Sequence, residues 1–195
     1  MAIAAGLCIA YPEPAVLQSL DQWTLQVTFE HPQQITLPQA GPGLQNRFWY
    51  TIVTLTNRTN HDVDFYPRSE LMTDEFQIIP AGVNTPPRVF ELIKKRHHRR
   101  YPLLESFTQV ANRILEGEDN AKDIAVIWPD FDHDATEIKI FLEGLSNETV
   151  AIKHPIKPQG IYLRKSLELT YSVKGDPALK SALKLQYKGR RWVMR

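Results

Sequence analysis

Asp130-Phe131-Asp132-His133-Asp134 sets a carboxylate at every second residue, and Glu137 follows closely. Carboxylates spaced in this way can converge on a hard cation such as Ca²⁺. That makes Asp130, Asp132 and Asp134 the candidate metal ligands. Asp-x-Asp-x-Asp also opens an EF-hand loop. Here, however, the glycine position is Ala135 and the closing glutamate position is Phe141. The competing reading is a solvated acidic turn whose carboxylates cap backbone amides. Asp130 with Glu137 could also be proposed as a glycosidase carboxylate pair, but any acidic loop offers one.

A second charged segment is Lys94-Lys95-Arg96-His97-His98-Arg99-Arg100. Cations at a helix C-terminus offset the helix dipole. With no aromatic residues interleaved and a net charge of only +1, the run does not point to nucleic acid. Residues 116–137 hold eight acids against one lysine, a net of −7. Pairing of these two segments, within one chain or between subunits, is the economical expectation. His97 and His98 are adjacent and cannot share a metal from one helix face. His31, His61, His133 and His154 lack zinc-ligand spacing. A Gly-x-Ser-x-Gly elbow, a phosphate-cradling glycine loop and a paired catalytic cysteine are all missing, so no catalytic constellation is expected. Asn57-Arg58-Thr59 and Asn147-Glu148-Thr149 fit a glycosylation sequon but read better as turn formers.

The elements that position these residues read as strands. Trp23, Leu25, Val27 and Phe29 alternate with polar residues without a fault. Residues 47–56 are aromatic and β-branched, a composition that suits a half-buried pleated surface. The polar residues 57–62 then read as the turn of a hairpin whose second arm is Val63-Asp64-Phe65-Tyr66. A loop is expected after Pro67, then strands at residues 75–79, 124–128 and 137–142. A short strand at residues 150–152, a long one near 163–173 bulged near Arg164, and two more by residue 194 complete eight to ten strands. Fourteen prolines against nine glycines fit many short connected elements. Between the strands the period changes. Pro86-Pro87 opens a helix with Val89, Leu92 and Ile93 on one stripe, and Leu104, Phe107, Ala111, Ile114 and Leu115 form a second. A helical insertion is therefore expected at about 86–117. Trp49, Trp128 and Trp192 lie on or beside strands, and at least two of the three are expected in the core.

Residues 1–10 are small and apolar and end before Tyr11-Pro12-Glu13-Pro14. They read as the back half of a secretory signal, too short to span a bilayer. Cys8 is the only cysteine, so an intrachain disulfide is impossible. Leu7 is not the small residue that precedes a lipid-modified cysteine.

Val53-Thr54-Leu55-Thr56-Asn57-Arg58-Thr59-Asn60-His61-Asp62-Val63-Asp64-Phe65 resembles the mid-sandwich hairpin of immunoglobulin-like domains in bacterial exported proteins. Residues 128–135 and 141–148 are similar to segments of uncharacterised exported proteins of planctomycete-type bacteria. The resemblance implies an all-β, immunoglobulin-like β-sandwich with a small helical insertion. Residues 1–12 would be a leader and residues 13–195 one domain. The function expected is a non-enzymatic structural or partner-binding module in the periplasm or cell envelope, or secreted. Its partner would be a protein or an envelope component. The alternative is a calcium-stabilised adhesive sandwich using the Asp130 loop.

Overall fold

In a computed structural model of the chain, residues 15–16, 21–38, 45–153, 160–175 and 183–195 are described. Residues 1–10 with Cys8, residues 41–43, His154 and residues 176–177 lie outside them. Strands make up 58% of the described residues and one helix 7%, an all-β sandwich. In chain order the first seven strands are β1 (Ala15–Val16), β2 (Gln26–Phe29), β3 (Gln33–Pro38), β4 (Gln45–Asn57), β5 (Val63–Asp64), β6 (Arg68–Thr73) and β7 (Ile78–Pro80). Helix α1 (Pro87–His97) follows, then β8 (Glu105–Ser106), β9 (Arg113–Ile114), β10 (Gly117–Pro129) and β11 (Glu137–Glu143). The last three are β12 (Thr149–Lys153), β13 (Gly160–Lys174) and β14 (Lys184–Met194).

One sheet runs β1-β12-β13-β11-β6-β7, with β14 also on β13. The other runs β2-β4-β10-β8, with β3 also on β4, and β5–β9 form a separate ribbon. Leu25, Trp49, Val53, Leu55, Ile124, Val126 and Trp128 of the second sheet pack against Leu71, Ile138, Ile140, Leu142, Leu167, Leu169 and Tyr171 of the first. The opposite face of β4 and β10 presents Phe48, Tyr50, Ile52, Ala125 and Ile127 to Val89 and Ile93 of α1 and to Leu104. The central strands are therefore buried on both sides. This explains why apolar and aromatic side chains occupy neighbouring positions in Phe48-Trp49-Tyr50 and Ile52-Val53 rather than alternating.

Four expectations are corrected. The 47–66 hairpin does not form. β4 pairs with β10, while β5 pairs with β9 through Val63↔Ile114 and Asp64↔Arg113. The helical insertion stops at His97. The Leu104–Leu115 stripe instead divides between two cores, with Leu104 in the helix-side cluster and Phe107, Val110 and Ile114 in the sandwich core. One helical face cannot serve both. The residues after Pro67 are not a loop but β6, and the strand read at 75–79 shortens to β7, preceded by a turn. The long strand β13 does exist, but its register shift lies at Thr170/Tyr171 rather than near Arg164. Trp49 and Trp128 are core residues, whereas Trp192 is partly exposed.

Candidate binding cleft

The three aspartates of the acidic loop are not grouped around one point. Asp130 turns inward, accepting hydrogen bonds from Arg47 Nε at 2.9 Å, Trp49 Nε1 at 3.0 Å and its neighbour's amide, Phe131 N, at 3.1 Å. Arg47 Nη2 adds an ion pair at 2.8 Å. Asp132 and Asp134 are exposed, and Asp132 Oδ1 accepts the Asp134 amide at 3.2 Å. Glu137 pairs with Lys139 at 3.7 Å. Among the described residues no three His, Cys, Asp or Glu side chains group as cation ligands. Saturating Ca²⁺ would raise the unfolding midpoint by about 5–10 °C over EDTA if it bound at a hundredfold excess over its dissociation constant. We expect no such shift in a thermal melt.

Among the described residues, the basic and acidic segments form no ion pair with each other within the chain. Arg100 pairs with Glu30 at 2.6 Å, and Arg96 Nη1 reaches the Gln34 carbonyl at 3.1 Å. From the acidic segment, Glu118 pairs with Arg58, and Lys122 with Glu105.

These contacts belong to a polar junction that fastens α1 to the sheet. The Tyr50 hydroxyl donates to Gln33 Oε1 at 3.0 Å and lies 2.9 Å from His97 Nε2. The Tyr101 hydroxyl donates to Glu30 Oε1 at 2.8 Å. Burial, and then the hydrogen bond to Glu30, push Tyr101 up to about 12. Burial likewise raises Tyr50. Burial lowers His97 below its usual 6.5, with Arg96 and Arg100 acting in the same direction and Glu30 opposing. The folded state therefore prefers the neutral imidazole. Its stabilising contribution is complete above pH 6.5 and declines as the pH falls from there toward the lowered folded value. Melts from pH 8 to 5 should show this decline, and His97→Gln should flatten that part of the profile. None of these groups lines the large cleft described next.

That cleft, about 1380 Å³ in volume and open to solvent, lies where the β5–β9 ribbon meets the end of the first sheet. Asn57, at the end of β4, builds the ribbon. It is 0% exposed, and its Nδ2 donates to the carbonyls of His61 at 2.8 Å and Ile114 at 3.0 Å. Its Oδ1 accepts the Thr59 amide at 3.0 Å and the Thr59 hydroxyl at 2.7 Å. One side chain thus folds the 57–62 turn and ties it to β9. The Phe65 amide donates to Asn112 O at 2.9 Å, and Arg113 Nε lies 3.5 Å from Asp62 Oδ2. Gly144 lets the two walls touch. Its φ is +83°, and a Cβ there would sit 2.7 Å from the Tyr66 carbonyl oxygen.

The sheet wall presents Arg68, Glu70, Glu143, Tyr162, Arg164 and Arg195. Arg195 pairs with Glu70 and lies 4.0 Å over the Phe141 ring. Trp23 and Asn147 line the cleft beyond Gly144, and the Trp23 amide donates to Asn147 Oδ1 at 2.8 Å. Tyr66 and Tyr162 stand in the cleft at 66% exposure each. Sequence reasoning did not find this site, because its walls come from segments paired across the whole chain. The available signal is the Asn57 turn, whose composition is that of a hairpin turn.

The chain matches no known protein-family model, no curated protein and no solved structure. No helix among the described residues is long and apolar enough to cross a membrane.

Proposed function

We propose that the protein is a non-catalytic binding module of the bacterial cell envelope, and that the cleft beside the β5–β9 ribbon holds a cell-wall glycan. The observation that carries this reading is the pair of exposed tyrosines, Tyr66 and Tyr162, set among guanidinium, carboxylate and amide groups in one open cleft. Aromatic faces pack against the apolar faces of sugar rings. Planar bidentate groups such as Arg and Asn match ring hydroxyls. The volume of the cleft, about 1380 Å³, is above that of a typical small-molecule pocket and leaves room for an extended chain. Placement in the envelope rests on the apolar residues 1–10 and on the sequence resemblance.

Co-sedimentation with purified cell-wall sacculi tests the reading. The protein should pellet with the sacculi, and Tyr66→Ala/Tyr162→Ala should remain in solution with an unchanged melting midpoint, since both side chains are exposed. Equal pelleting by both proteins, or by neither, contradicts it.

A further inference from the structure

The turn between β6 and β7 displays an aromatic residue in a conformation that aromatic residues rarely adopt. Phe76 has φ +61° and is 84% exposed. Left-handed backbone suits glycine or asparagine and is an outlier for a bulky side chain. Neither burial nor backbone preference accounts for phenylalanine at this position.

The tip is also held rigid. Thr73 N donates to Gln77 O at 3.0 Å, and Phe76 N to Thr73 O at 3.0 Å. The Thr136 amide donates to Asp74 Oδ1 at 3.1 Å, and the Asp132 amide to Gln77 Oε1 at 2.9 Å. Burial pushes the Asp74 carboxyl up, but hydrogen bonds from Thr136 outweigh it and hold the group below the usual carboxylate range. A pre-ordered aromatic on a braced hairpin has the properties of an interface anchor. Its surroundings are acidic: Glu75, Asp132 and Asp134 make no ion pair among the described residues.

The complementary surface is on the same chain. Beyond the Arg96 and Arg100 contacts, Lys95, His98 and Arg99 at the end of α1 are exposed and make no ion pair among the described residues. Leu103 stands exposed nearby in sequence. The acidic aromatic tip belongs to the first sheet, and the basic surface to the helix covering the second.

We propose that a second copy of this chain seats its Phe76 tip on the basic α1 end, with Glu75, Asp132 and Asp134 facing Lys95, His98 and Arg99. The contact is head-to-tail. Each copy keeps one free tip and one free basic surface, so the assembly grows into short chains or closes into a ring.

Sedimentation of the full chain across micromolar to submillimolar protein tests the proposal. Average mass should rise with concentration at low salt and return to that of the monomer at high salt. Phe76→Gly should weaken association at least about tenfold. It should leave the melting midpoint equal or higher, because glycine accepts the positive φ. Lys95→Glu/Arg99→Glu should also be monomeric. Mixed together, the two variants retain one good half each, and should form a 1:1 dimer that grows no further. A wild-type chain that stays monomeric throughout, a Phe76→Gly protein that associates like wild type, or variants that fail to pair when mixed would each overturn the proposal.

Discussion

Asp130→Asn is expected to cost about 3 kcal/mol of stability, close to what breaking a buried ion pair from one side does. The Arg47 side chain is only 5% exposed, and its Nη1 has no hydrogen-bond partner. Asp130 is its sole ion-pair partner among the described residues. The same carboxylate holds the Trp49 indole, which stacks on Phe131 at 5.3 Å between ring centres. The amide of asparagine keeps the shape but leaves a guanidinium buried without its counter-charge. For a chain of this length the loss should lower the midpoint by about 10 °C. Asp132→Asn and Asp134→Asn replace exposed side chains and should each change stability by less than about 1 kcal/mol. Chemical denaturation of the three variants separates the readings. A shared metal site would make all three costly, whereas an inward anchor makes only Asp130 costly.

Asn57→Ala should be comparably severe, at about 3 kcal/mol. The mutation strips a hydrogen bond from the buried Ile114 carbonyl and another from the part-buried Thr59 amide, and a buried group left unpaired costs about 1–3 kcal/mol. The effect should also be local. Because Asn57 joins the 57–62 turn to β9, its loss should raise amide hydrogen exchange at Phe65 and along β9 before the sheets are affected. Glycan binding in the cleft should weaken with it, as one wall loses its support. Thr59→Ala removes only one of the four contacts and should cost less.

The strands were readable wherever one face met the core and the other met water. Trp23, Leu25, Val27 and Phe29 all pack on the sandwich core, as their alternation required. β6 carries no apolar alternation because its inward-facing residues include Ser69 and Thr73. Ser69 is buried by donating its hydroxyl to Phe141 O at 2.8 Å, which erases the apolar alternation. The Asn57 turn has the composition of a hairpin turn, yet its side chain bonds to Ile114, a partner 57 positions away that no local pattern encodes. The same limit applies to Asp130. Its spacing from Asp132 and Asp134 was visible, but Arg47, 83 positions away, decides what it does. The α1 stripe was legible at Val89 and Ile93, because both face a single layer. The stripe after Pro102 was not, because it serves two cores.

The central claim is that the cleft beside the ribbon is the binding surface. An amide NMR titration of the protein with soluble cell-wall glycan fragments tests it most directly. Shift changes should concentrate at residues 62–68, 108–113, 143–149 and 162–164, the segments that frame the cleft, and leave the Phe76 tip and the α1 face unmoved. Changes centred on Phe76 or α1, or none at saturating glycan, would contradict the account.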